Sequence, residues 1–174
     1  MIDEIKTFLP LHIAVLTVSD TRNMENDLSG NSLVDYLTRA GHVLSDRALV
    51  RDNVPDIKSH LEKWIEDPGT DVVISTGGTG VTGRDVTPEA FSAVIEKSIP
   101  GFGELFRMLS YQKIGTSTIQ SRALAGLAKS TYLFALPGSR GAVRDAWEDV
   151  LKYQLDNRHR PCNFAELIPR LQEK

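Results

Sequence analysis

The chain has 174 residues, of which 41% are hydrophobic and 25% charged, the balance of one globular domain with enough apolar material for a core. Its formal net charge of -3 and pI near 5.8 give no electrostatic case for nucleic-acid binding. A single cysteine, Cys162, excludes an internal disulfide and reads as a small hydrophobe or a reduced thiol, and no run approaches the ~20 apolar residues that span a bilayer.

MIDEIKTFLP opens the chain with acidic residues and no long apolar run, which argues against a signal peptide and makes a reducing cytoplasm the expected location. Leu11 to Ser19 is mostly apolar and rich in β-branched residues, the pattern of a strand buried on both faces. Polar Asp20 to Asp27 reads as a loop. From Ser29, the apolar residues Leu33, Val34, Leu37 and Ala40 fall at helical spacing, and Gly41 offers a stop. Val43 to Val50 is a weaker strand candidate. After the turn RDNVPD, Val54, Ile57, Leu61, Trp64 and Ile65 share one face of a second helix, with Trp64 expected in the core. DPGT then breaks the helix, and Asp71 to Thr76 predicts a third strand that runs into a glycine-rich loop.

Thr87-Pro88-Glu89 has the form of a helix start, with threonine as N-cap, and predicts a helix to about Ser98. PGFGELFRMLSYQKIG predicts a second, looser helix, whose Phe102, Phe106 and Met108 are candidates to pack between subunits. GTSTIQSRALAGLA reads as a loop and a helix. Thr131 to Leu136 predicts another strand, followed by the small-residue loop Pro137 to Gly141. A last helix then carries Val143, Trp147, Val150 and Leu151 on one face.

Strands alternate with helices, without repeat, low-complexity segment or linker. The expected class is α/β: one domain over residues 1–174, core about 11–160, in a three-layer sandwich whose mainly parallel sheet is covered on both faces. Both small-residue loops follow a strand and precede a helix. Ligands of such sheets bind outside the carboxyl ends of the strands, so the two loops are expected to share one site. The four histidines, His12, His42, His60 and His159, lack zinc-ligand spacing.

The loop itself reads STGGTGVTGRD from Ser75 to Asp85. Glycines there give access to positive φ and let backbone N–H groups approach a ligand, above all a phosphate. Gly78 to Gly83 fits G-x-G-x-x-G, but the clear helix start comes only at Thr87, which weakens a dinucleotide reading. Gly78 to Asp85 also nearly spells a P-loop, but Arg84 replaces the lysine and Asp85 the hydroxyl. A third reading gives Asp85 a purpose: a carboxylate beside a phosphate loop can hold Mg2+, which binds both kinds of oxygen. The plain alternative is that Asp85 caps a turn while Arg84 lies in solvent.

STGGTGVTGRDVTPEA, PGFGELFRMLS, GTSTIQSRALAG and LPGSRGAVRDAWE, with TVSD and SGNSLVDYL before them, together resemble the MoaB/MogA family of molybdenum cofactor biosynthesis proteins. The resemblance spans roughly Leu11 to Phe164, and GTSTIQSRA and RPCNF are closer to the MoaB branch. It implies a molybdopterin-binding fold and the adenylylation of molybdopterin by Mg-ATP, with release of pyrophosphate. It also implies two catalytic aspartates that hold Mg2+: Asp85, and Asp52 after the second strand, with Asp56 the less suitable register. Thr76, Gly77, Gly78, Thr79 and Gly80 would bind phosphate. Pro137, Gly138 and Ser139 would shape a second anion turn, and Ser117 and Thr118 would donate hydroxyls, unless they cap the next helix. Thr17, Ser19 and Asp20 would line the same crevice, although Thr17 can equally be a buried strand hydroxyl. The family is oligomeric, and the MoaB-like segments favour a homo-hexamer over a trimer, with other molybdenum cofactor biosynthesis proteins as possible partners and no membrane or nucleic acid. A non-catalytic molybdopterin carrier or scaffold is the alternative role.

Overall fold

A computed structural model describes residues 1–173. The first strand, β1 (His12–Val18), lies between β2 (Val43–Val50) and β3 (Val72–Thr76), parallel to both. On the far side of β3, β6 (Thr131–Leu136) continues the parallel run. Antiparallel β5 (Leu124–Ala128) and the two-residue β4 (Lys97–Ser98) complete the sheet, in the order β2-β1-β3-β6-β5-β4. The chain leaves β1 in one direction to make β2 and returns on the other side as β3. That reversal creates a crevice at the carboxyl ends of the strands.

Strand residues alternate between two cores. Ile13, Val15, Ile74 and Phe134 face α1 (Leu28–Arg39), α4 (Pro100–Ile114) and α5 (Arg140–Ala146). Leu16, Val73, Leu133 and Ala135 face α2 (Val54–Glu66) and the short α3 (Thr87–Ser92). The central strands are therefore apolar on both sides, as their sequences read. In α2, Ile57, Leu61, Trp64 and Ile65 are all buried, and each aliphatic side chain withdrawn from water contributes roughly 1.5–3 kcal/mol. The last helix begins at Arg140, widens to a π turn over Trp147–Leu151 and ends at Gln154, with Trp147 in the core.

Several expectations are corrected. The helix from Thr87 ends at Ser92, because the chain then turns to the sheet edge, where Glu96 N–H donates to Leu127 O and Ile99 N–H to Ala125 O. Thr87 is not its N-cap: its buried hydroxyl donates to Gly77 O at 2.9 Å. The segment expected as a helix after GTSTIQ is the strand β5, paired along its length with β6. PGFGELFRMLSYQKI is one continuous helix, not a loose one. Phe102 and Phe106 belong to the chain's own core and are not available to a neighbouring subunit, whereas Met108 is exposed. Of the two readings of Cys162, the structure has the free thiol, which is exposed.

A wholly buried carboxylate fixes the strand ends beside the crevice. Asp27 caps α1, its Oδ1 accepting from Gly30 N–H at 2.9 Å. Its Oδ2 accepts from the Thr17 hydroxyl of β1 at 2.6 Å and from Arg47 Nη2 of β2 at 3.0 Å. Removing one partner of a buried pair leaves the other charge uncompensated. Asp27→Ala is therefore expected to lose about 3 kcal/mol of stability in urea unfolding, and a loss of less than about 1 kcal/mol would contradict that role.

Candidate functional site

The loops at the carboxyl ends of β1, β2, β3 and β6 enclose a cavity of about 830 Å³. Ser19 and Asp20 enter it from the end of β1, and Asp52 from the end of β2. Gly77, Gly78, Thr79, Gly80 and Asp85 come from the glycine loop, Pro137, Gly138 and Ser139 from the turn after β6. Ser117 and Thr118 close the opposite wall from a 3-10 turn over Gly115–Gln120.

Two expected site residues are not in the lining. Thr17 is fully buried, and its hydroxyl is spent on Asp27. Thr76 is fully buried, and its hydroxyl donates to Pro137 O at 3.0 Å, tying the end of β3 to the second turn. Asp56 also stays outside, at the first turn of α2 with its N–H on Asn53 Oδ1. Thr118 lines the cavity but donates its hydroxyl to Arg107 O at 3.3 Å. Ser139 caps α5, accepting from Ala142 N–H at 3.2 Å.

The glycines of the loop have specific causes. Gly77 has φ of +107°, and a Cβ there would lie 2.1 Å from Val18 O. Gly78 has φ of +64°, and its Cβ would lie 2.3 Å from Asp52 Oδ1. Only glycine lets the loop pass so close to both β1 and Asp52. Among the described residues, no carbonyl or side chain accepts from the N–H groups of Gly78 and Thr79. Both residues line the cavity, and their amides have hydrogen bonds still to make.

The charges are mixed. Asp52 Oδ1 is buried without a hydrogen-bond partner. Burial, then the charges of Asp20 and Asp85, push the Asp52 pKa up to about 6, with Arg84 opposing. Asp85 behaves oppositely. Its own burial raises it, but hydrogen bonds from Thr82 and the Gly80 amide, with the charge of Arg122, outweigh that, and its pKa is lowered. Its Oδ2 accepts from the Thr82 hydroxyl at 2.6 Å and from Thr82 N–H at 2.8 Å. Asp85 thus caps its own turn while lining the cavity. Arg84 is largely in solvent, 3.7 Å from Asp20.

Sequence reasoning missed the basic residues of the site. Arg22 donates to Gly138 O at 3.2 Å and to Ser29 Oγ, and so fastens the second turn to the β1 loop. Lys113 and Arg144 also line the cavity, each paired with Asp145. Arg122 lies behind the glycine loop: its N–H donates to Thr79 O, its Nε to Gly80 O, its Nη2 to Asp85 O and its Nη1 to Glu89. Apart from Arg144 and its neighbour Asp145, the partners lie in other segments of the chain, so no local motif marks these residues.

No group of three or more His, Cys, Asp or Glu side chains among the described residues is arranged to hold a metal ion by itself. Asp52 with its unpartnered oxygen, beside Asp85 and Asp20, still fits Mg2+. That ion takes one or two carboxylates and completes its shell with phosphate oxygens and water.

The family model described as "Probable molybdopterin binding domain" matches residues 14–157. The chain belongs to this family. Within the molybdopterin-binding domain family, it is 50% identical over 157 residues to Molybdenum cofactor biosynthesis protein B of Escherichia coli (strain K12), covering 90% of this chain and 92% of that protein. The protein of the same name in Bacillus subtilis (strain 168) is 44% identical over 138 residues, covering 79% of this chain and 81% of that one. Among solved structures, a Molybdenum cofactor biosynthesis protein B superposes with a TM-score of 0.87 at 37% identity, covering 97% of this chain and all of that one. The tungsten cofactor synthesizing protein MoaB from Pyrococcus furiosus has a TM-score of 0.73 at 34% identity, over 81% of this chain and 90% of that one.

The raised pKa of Asp52 predicts a pH signature. A carboxyl group whose pKa is higher in the fold contributes stability below its unfolded value, 3.8, and loses it as pH rises through about 6. Asparagine does not titrate. In metal-free buffer, Asp52→Asn is therefore expected to have a higher Tm than wild type above about pH 6, an advantage that shrinks on acidification and is gone below about pH 4. A Tm difference that does not change with pH would contradict the assignment.

Proposed function

We propose that the chain serves molybdenum cofactor biosynthesis by binding molybdopterin and adenylylating it with ATP. The family and the relatives named above support the pathway. The observation that carries the reaction is the combination in one cavity of amides free to bind an anion and a buried, unpartnered carboxylate oxygen on Asp52. Phosphate and carboxylate repel each other, so a site that keeps both needs a cation between them.

In this reading an oxygen of the pterin phosphate attacks the α-phosphate of ATP. The bond to the β-phosphate breaks, and pyrophosphate leaves. Two anions must approach each other, so the protein's part is to position them and offset their charge. The N–H groups of Gly78 and Thr79 donate to phosphate oxygens. Arg22, Lys113 and Arg144 bring positive charge to the cavity, the last two shared with Asp145. Asp52 and Asp85 would hold Mg2+, which when bound would neutralise phosphate charge. The cavity of about 830 Å³ is at the upper end of the range for small-molecule sites, as two reactants require. We further propose that the chain acts in the cytoplasm as a homo-oligomer, a hexamer in preference to a trimer.

One observation favours the second reading, a molybdopterin carrier or scaffold: Asp85 Oδ2 is already held by Thr82 and has a structural use without any metal. Asp85→Asn separates the two. It is expected to reduce formation of adenylylated pterin at least about a hundredfold while molybdopterin affinity changes little, because it removes charge and not the pocket. Equal turnover by variant and wild type would contradict the cation-holding role. Tight pterin binding by a wild type that makes no product would leave the carrier reading.

A further inference from the structure

We propose that Arg122 is a positioning residue for the glycine loop, acting on its backbone carbonyls and not on the reactants. The loop faces a geometric problem. To present N–H groups to an anion it must turn its carbonyl oxygens elsewhere, since a carbonyl dipole facing a phosphate repels it. The glycines that allow this shape have no side chains with which to hold it, and their backbone freedom works against any one conformation.

Arg122 meets both needs. Its main-chain N–H donates to Thr79 O at 2.9 Å and its Nε to Gly80 O at 2.6 Å. Its Nη2 reaches Asp85 O, and its Nη1 the carboxylate of Glu89 on α3. One residue thus holds the loop at its start, at its end and to the helix that follows. The same contacts fix the backbone from which Asp85 projects. Arg122 is not in the cavity lining, which separates it from Arg22, Lys113 and Arg144.

Arg122 is itself held. Arg107 of α4 donates through Nη1 to Ala123 O at 3.1 Å and to Ser121 O at 3.4 Å, the carbonyls on either side of it. Ser121 N–H donates to Thr118 O at 3.0 Å. A planar guanidinium can hold two carbonyls and a carboxylate at fixed angles, whereas an ammonium is a point charge on a flexible stem. Lysine is therefore not expected to substitute.

The rate part of the test rests on the proposed adenylylation, whereas the exchange part does not. Hydrogen exchange would be measured on wild type, Arg122→Ala and Arg122→Lys. The loop amides that are hydrogen-bonded within the turn, Thr82 and Asp85, are expected to exchange about tenfold faster or more in both variants, with β1, β3 and β6 unchanged. In turnover assays kcat is expected to fall at least about tenfold, while KM for molybdopterin and ATP shifts less than about threefold. Guanidinium ion at non-denaturing concentration should restore part of the Arg122→Ala rate. Loop exchange equal to wild type, or a lysine variant equal to wild type in exchange and kcat, would overturn the proposal. Should Arg122→Ala fail to fold, Arg122→Lys keeps the stem and the charge and decides the question alone. A wild type without turnover would sink the adenylylation, and the exchange data would still decide the role of Arg122.

Discussion

The carboxylate of Asp27 is wholly buried, and donors from three elements converge on it: the first turn of α1, Thr17 of β1 and Arg47 of β2. A buried carboxylate without such donors would be strongly unfavourable, so the three elements can be assembled in only one relation. That relation holds β1, β2 and α1 together beneath the crevice. Ser19 and Asp20 leave one strand and Asp52 the other, at the edge where β3 releases the glycine loop. Parallel strands that end together bring these loops to one crevice, although they are distant in sequence.

Within the crevice charges of both signs are held close, with Asp145 between Lys113 and Arg144. Asp20, Asp52 and Asp85 lie on the side of the glycine loop, while Lys113 and Arg144 line the same cavity from α4 and α5. Asp52 has no donor of its own, and its raised pKa is the consequence. The N–H groups of Gly78 and Thr79 also lack partners among the described residues. Unpaired polar groups of both signs in one cavity are costly in the free protein and point to ligands of both signs.

Much of the architecture was legible in the sequence, for physical reasons. β1, β3 and β6 are covered on both faces and so read as unbroken apolar runs, and α2 buries one face at helical spacing. β5 escaped because Ala125, Gly126 and Ala128 give no periodicity. Gly126 is small because Ile95 packs onto it, a contact across the sheet edge. Of the candidate site, the acidic residues and glycines were legible because a loop motif and a family resemblance mark them. Thr76 was misplaced, and Thr17 took the buried one of its two readings, because one position decides whether a hydroxyl at the end of a strand faces the crevice or the core. Arg22, Arg122 and Lys113 were invisible because their partners lie in distant segments: Arg122 acts on carbonyls about 40 residues earlier in the chain.

The proposed adenylylation requires one cavity to seat both reactants at once. It is tested most directly by titrating the α,β-methylene analogue of ATP, with Mg2+, into protein saturated with molybdopterin, and following both ligands. The α,β bond of the analogue cannot be cleaved, so binding is read apart from turnover. The nucleotide is expected to bind once per chain and to leave the pterin in place. Displacement of the pterin by the nucleotide, or no binding of nucleotide at any Mg2+ concentration, would contradict it.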